Sequence, residues 1–130
     1  MLEAGLQQRL VADSKMAQLV EGRIYPLVWP SDTPNFPLVT YQRISTVNSY
    51  SLLNPVSIIT VRMQFDCWAK TYSTVRVMSA VIAASFVYFS GALPDGTTVL
   101  SMTQDSCTDL YDSPTSTYRV TSDYLIQFRR

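Results

Sequence analysis

Between residues 59 and 68 apolar and polar side chains alternate without a break. Ile59, Val61, Met63, Phe65 and Cys67 take one side, and Thr60, Arg62, Gln64, Asp66 and Trp68 take the other. Period two over ten residues predicts a strand with one buried face. Residues 117–128 repeat the pattern: Tyr118, Val120, Tyr124, Ile126 and Phe128 alternate with Arg119, Thr121, Asp123 and Gln127. Residues 38–47 predict a third strand, with Val39 and Tyr41 opposite Thr40 and Gln42. A fourth spans residues 98–108, behind the Asp95-Gly96 turn signal. Residues 109–116, which include Pro114, read as a turn before the last strand.

Helical spacing occurs in three places. Leu2, Leu6 and Leu10 recur every four residues. Gly5 in that segment costs roughly 1 kcal/mol relative to Ala. Asp13 or Ser14 is an N-cap candidate for a short turn carrying Met16, Leu19 and Val20, closed by Gly22. Residues 73–89 predict the long helix, capped by Ser73 and ended by Gly91. Val75, Met78, Ile82, Phe86 and Phe89 form its core stripe, yet Val77, Val81, Ala84 and Tyr88 make the other side apolar too. Such a helix requires cover on two sides.

Four prolines, Pro26, Pro30, Pro34 and Pro37, exclude a helix interior or central strand over residues 24–37 and predict a loop pinned by Tyr25 and Trp29. A second interruption, residues 48–55, displays Tyr50, Leu52 and Leu53. The order α-β-β-α-β-β predicts an α+β fold: a mainly antiparallel four-stranded sheet with helices packed on one face, in a single domain over residues 1–130. The apolar helix flank (Val77, Val81, Ala84, Tyr88), the loop tip (Tyr50, Leu52, Leu53) and Trp29 are the candidate interface to another subunit or partner.

Composition narrows the chemistry. The 130 residues include ten basic and ten acidic side chains and no histidine. A neutral chain lacks the clustered Lys and Arg that wrapping DNA requires. Without histidine the commonest general base and metal ligand are missing. Charged residues make up 15%, against about 25% in an ordinary soluble chain, which suits a surface that is partly covered. Neither Lys15 nor Lys70 lies near a Gly-flanked serine that it could activate. Asp105, Asp109 and Asp112 miss the calcium-loop spacing and read as a solvated turn. The loop at residues 91–96 lacks the Lys-Ser/Thr of a phosphate loop.

Trp29, Tyr50, Trp68 and Tyr72 lack the interleaved basic residues of a nucleic-acid stacking surface and read as core or protein contacts. Arg62, Asp66, Arg119 and Asp123 are expected to pair across the sheet if their strands are neighbours. Cys67 and Cys107 read as reduced, mostly buried thiols rather than a bridge or a zinc site. Residues 77–89 are too short to cross a bilayer, and the N-terminal residues lack a signal-peptide pattern. No catalytic, cofactor or metal residues are expected.

The ordered features carry a resemblance. The Leu2, Leu6, Leu10 series leads into Gly22-Arg-Ile-Tyr-Pro26, then a Pro-rich loop, then Pro37-Leu-Val-Thr-Tyr41, then a strand ending Phe65-Asp-Cys-Trp-Ala69. Across nearly its whole length the chain resembles the tail-completion or tail-terminator family of tailed bacteriophages. The resemblance implies a virion protein that assembles in the host bacterial cytoplasm and caps the head-proximal end of the tail tube. It implies a ring, usually of six copies, whose partners are itself, the tail tube protein and the head-side connector or adaptor. DNA would pass through the lumen without sequence-specific recognition, and no membrane is involved. Two other classes stay open on the residues alone: a different neck or tail adaptor or small oligomeric binding module, and a small ferredoxin-like enzyme.

Overall fold

The computed structural model describes residues 1–30, 34–49 and 58–129. In chain order its elements are α1 (Leu2–Ala12), α2 (Ser14–Val20), β1 (Ile24–Pro26), β2 (Leu38–Ser49), β3 (Ile58–Ala69), α3 (Tyr72–Phe86), β4 (Gly91–Ala92), β5 (Thr98–Asp112) and β6 (Thr117–Arg129). The strands form a single six-stranded sheet in the order β1-β2-β3-β6-β5-β4.

Its centre is the antiparallel β3–β6 ladder, in register from Ile58 opposite Arg129 to Ala69 opposite Tyr118. That register aligns the apolar sets of both strands, so Val61, Met63, Phe65, Val120, Tyr124 and Ile126 are buried on one side. Phe65 is the hub, with its ring 5.7 Å from Tyr41, 5.1 Å from Phe86 and 6.0 Å from Tyr124. The helices cover this face: Leu2, Leu6 and Leu10 from α1, Met16 and Val20 from α2, and Val75, Met78, Ile82 and Phe86 from α3 join one core.

The expected four-stranded sheet with α-β-β-α-β-β order is therefore corrected to a six-stranded mixed sheet with three helices. Two short edge strands make the difference. The segment read as a pure loop contributes β1, which pairs in parallel with Val39–Tyr41 of β2. Proline excludes a central strand, yet Pro26 is tolerated at this edge because no partner lies on its far side. β4 has just two residues, too few for a period-two pattern, and is held by Thr98 and Val99. The sheet is also curled. One extra residue bulges from β2 at Ile44, and two from β5 at Leu100 and Asp105, and each bulge bends its strand.

Helix α3 begins and ends earlier than its spacing suggests. Thr71 is the N-cap, its hydroxyl accepting from Thr74 N, rather than Ser73. Val87 is extended, and Tyr88 turns at φ 63°. The Tyr88 N–H then donates to Met102 O at 2.9 Å, so a bond to β5 replaces continuation of the helix. Arg9 closes that end, donating through Nε and Nη2 to Ser85 O at 3.0 and 2.7 Å and lying 3.8 Å over the Phe89 ring. For α2 the cap is Asp13, which accepts from Lys15 N and Met16 N. Strand β5 runs through the expected turn as far as Asp112.

Gly5 is explained by a close approach rather than by backbone freedom. A Cβ there would collide with the Asp95 carboxylate and come within 3.0 Å of Leu93 Cβ. Asp95 cannot easily yield, since it accepts from Thr97 N at 3.0 Å and pairs with the Met1 amine at 2.9 Å. The helix-propensity loss is the condition for α1 lying against the 93–97 turn.

Truncating the hub should show how much of the fold it holds. Phe65→Ala is expected to destabilise the chain by about 3–5 kcal/mol. Its urea midpoint should fall accordingly with the slope unchanged.

Candidate functional site

Three surfaces stand out, one on the helical side, one on the open face of the sheet and one at the β5 end. On the helical side, a groove of about 980 Å³ runs between the α1–α2 corner and α3. Val77, Ala80, Val81 and Ala84 supply its apolar wall, and Arg9 and Lys15 its basic rim. Val77 is 51% exposed. Three of the sequence-nominated interface residues, Val77, Val81 and Ala84, are thus brought together, although Val81 also packs partly on the core. Tyr88 is 85% exposed, but it lies beyond the helix and not on its flank. Tyr50, Leu52 and Leu53 fall outside the described residues.

The open face of the sheet is polar and internally paired. Arg62 reaches Asp105 at 2.7 Å and Asp123 at 3.4 Å, and Arg119 reaches Asp66 at 3.0 Å. This is the cross-strand pairing expected from Arg62, Asp66, Arg119 and Asp123, realised because β3 and β6 are neighbours. Gln42 and Gln64 join side chain to side chain at 3.0 Å. At one end of this face Trp29, the remaining candidate, is half-buried. It sits edge-on to Trp68 at 5.1 Å and to Phe36 at 5.8 Å. Trp68 donates to Thr40 Oγ1 and lies beneath the Arg119 guanidinium, while Lys70 covers Phe36. The Pro-rich segment is thus fastened to the sheet by aromatic edges and by Lys70 over Phe36, and Trp29 acts there as a clamp.

The third surface is the helix-facing side of the β5 end. Asp109 accepts from Tyr72 Oη at 2.6 Å and Arg76 Nη1 at 3.0 Å. These partners, Tyr72 first, outweigh desolvation and hold the Asp109 carboxyl below its usual range. Cys107 is exposed, contrary to the expectation of two mostly buried thiols, and lies near the Ser79 and Ser122 hydroxyls. Cys67 is buried and free, and burial pushes its thiol up. The sheet's alternation predicts this burial for Cys67, whereas Cys107 lies on β5 toward the outer edge of the sheet, beside Arg76 and Ser79 of α3 but left exposed. Asp105, Asp109 and Asp112 do not form a solvated turn. All three lie on β5 and are divided among Arg62, the Tyr72–Arg76 pair and Thr115.

Among the described residues no group of three or more His, Cys, Asp or Glu side chains could hold a metal ion. No helix there is long and apolar enough to cross a membrane. What the geometry does supply is an apolar groove, a neutralised polar face and long exposed strand edges.

These features define an α+β domain, a curled mixed sheet with helices on one face. The chain belongs to the family described as "Tail completion protein gp17", whose profile matches residues 4–128. Comparison with curated proteins gives no match. Among solved structures it is similar to a chain from the "Virion of native gene transfer agent (GTA) particle", at 14% identity and a TM-score of 0.79, covering 99% of this chain and 95% of that one. At that identity the likeness is one of fold. The family assigns the chain to the structural proteins of phage tails.

The Asp109 geometry generates a titration test. A depressed carboxyl contributes stability that is present above its unfolded pKa, about 3.9, and lost as the pH falls through the folded value. Tyr72→Phe should move the Asp109 pKa upward toward the ordinary value, read by carbon NMR of the carboxyl. The acid limb of the stability curve should become shallower in the same variant.

Proposed function

We propose that this chain is a ring-forming virion protein that closes the head-proximal end of a phage tail tube and joins it to the head-side connector. The family match over residues 4–128 carries the reading, and the exposed apolar wall of α3 supports it. A ring of identical subunits presents the same contacts in turn to each neighbour, and a heterologous contact that closes is how a chain of this size builds one. The expected number of copies is six, and the expected neighbours are the tube protein on one side and the connector or adaptor on the other. The chain works by contact and not by catalysis. DNA crosses its lumen without sequence-specific recognition, because Arg62 and Arg119 are already paired with Asp side chains.

Val77, Val81, Ala84 and Tyr88, with Tyr50, Leu52, Leu53 and Trp29, are the residues proposed for these contacts. Val77 is the sharpest probe because it is exposed and its replacement leaves the core intact. In Val77→Asp the far-ultraviolet circular dichroism and thermal midpoint should stay near those of the parent, with a stability change within about 0.5 kcal/mol. Light scattering should report a multiple of 14.6 kDa for the parent and a shift toward one copy for the variant. Infections supplied only with the variant should yield heads and tails that fail to join. A parent that is monomeric at high concentration and also single-copy in the particle would end the ring reading.

A further inference from the structure

The sheet has two open edges, and their polarity, backbone and side chains fit each other. On its outer side β2 is paired by β1 only over Val39–Tyr41. Among the described residues, Gln42 to Ser49 have no strand beyond them. At the other side β4 covers only Thr98 and Val99 of β5, and Tyr88 bonds to Met102. Thr103 to Asp112 lie beyond that cover. An edge strand with free N–H and C=O groups is a template for another strand.

We infer that, in the ring, the β5 edge of each copy pairs antiparallel with the β2 edge of the next copy, so that the sheets run on from subunit to subunit. The inference rests on the ring reading and adds a strand-edge contact to the one proposed for the α3 flank.

Strand direction comes first. β2, β3, β6 and β5 are successively antiparallel, so β5 runs opposite to β2. Rotation about an axis along the strands leaves those directions unchanged, and a neighbour's β2 therefore arrives antiparallel to β5.

Backbone direction comes second. The Met102 carbonyl points away from β6, toward Tyr88. Alternation along the ladder, carried through the bulge by the β6 register, turns the groups of Gln104, Cys107, Asp109 and Tyr111 the same way. On β2, Val39 N donates to Arg23 O and Tyr41 O accepts from Leu27 N. The same alternation turns Arg43, Thr46 and Asn48 outward. Each edge thus offers three or four residues with outward donors and acceptors, and each contains one bulge.

Side chains favour this pairing over β5 with a second β5. Thr98–Asp112 contains Asp105, Asp109 and Asp112 and no base, whereas Arg43 is the sole charge of Leu38–Ser49. Asp105 and Asp109 are paired with Arg62 and Arg76, and Arg43 with Glu3. Among the described residues, however, Asp112 has no cation partner, and a twofold β5–β5 contact would bring two such acid-rich strands together, which is unfavourable where like charges lie opposite. Val47 and Leu110 are both exposed on the open face, and lateral pairing would cover them.

Cys107 supplies the probe, since it is exposed on the helix-facing side of β5, the side that Arg43, Thr46 and Asn48 occupy on β2. Single variants Arg43→Cys, Thr46→Cys and Asn48→Cys would be oxidised mildly, both as purified oligomer and in assembled particles, and run on denaturing gels without reductant. At least one should give a ladder of covalent multimers that disappears when Cys107→Ser is added. A parent protein that forms Cys107–Cys107 dimers and nothing larger would replace this arrangement with a β5–β5 twofold. A ring of unchanged mass in which none of the three variants cross-links would overturn the edge pairing and leave the ring intact. Chains that are single-copy in solution and in the particle would remove both.

Discussion

The β3–β6 ladder is the constraint on which the rest depends. Its twelve paired positions align two alternating strands so that Ile59, Val61, Met63 and Cys67 lie opposite Phe128, Ile126, Tyr124 and Val120 on the helix-covered side. From that alignment follow the position of Phe65 among Tyr41, Phe86 and Tyr124, the docking of α3 over the ladder, and the collection of Arg and Asp on the far face. A slip of one residue would turn one strand over against the other and put its arginine, Arg62 or Arg119, under the helices. No other element exerts comparable control, because β1 and β4 are too short to set a register of their own.

The faces of this sheet do different work. Beneath the helices, burial of apolar surface holds the domain together. On the open side, charge is cancelled locally, with Asp66, Asp105 and Asp123 satisfying Arg119 and Arg62. The partly exposed Arg62 pairs are of a type that contributes little to stability, whereas Arg119 serves a buried Asp66; together they remove free charge from a broad surface. The low charge content of the chain is thus arranged as well as sparse. Its basic side chains are for the most part spoken for, by Asp on the open face, by Ser85 O under α3, by Phe36 at the Pro-rich segment.

Much of this was readable in the residues. Period two marked β2, β3 and β6 to within two residues, and the same parity assigned Cys67 to the core and paired the four charges on β3 and β6. Spacing found α1, and of the two cap candidates for α2, Asp13 and Ser14, the structure uses Asp13. The failures have local causes. β1 and β4 are created by the partner strands they lean on and carry no periodicity of their own. The end of α3 is decided by a hydrogen bond from Tyr88 to a strand distant in sequence, which no helix signal contains. Exposure of Cys107 and the placing of Asp105, Asp109 and Asp112 on β5 follow from the strand's continuation to Asp112 along the margin of α3, which the turn signals at residues 109–116 do not contain. Of the nominated contact residues, Val77, Val81 and Ala84 do share a groove, because helical spacing is enough to put them on one flank. Trp29, expected to pin the Pro-rich loop, does so against Trp68 and Phe36, partners that a single residue type cannot announce.

The alternation of the central ladder has a consequence for descent. It asks for greasy and wet side chains in turn and is indifferent to which ones, so most substitutions that respect the beat leave the architecture standing. Lineages built on such a rule can diverge until little spelling is shared while the shape endures. Positions where something other than the beat is required, such as Gly5 against the Asp95 carboxylate, have no such latitude. In distant kin the inherited text should therefore shrink toward a few fixed letters set in a persistent rhythm.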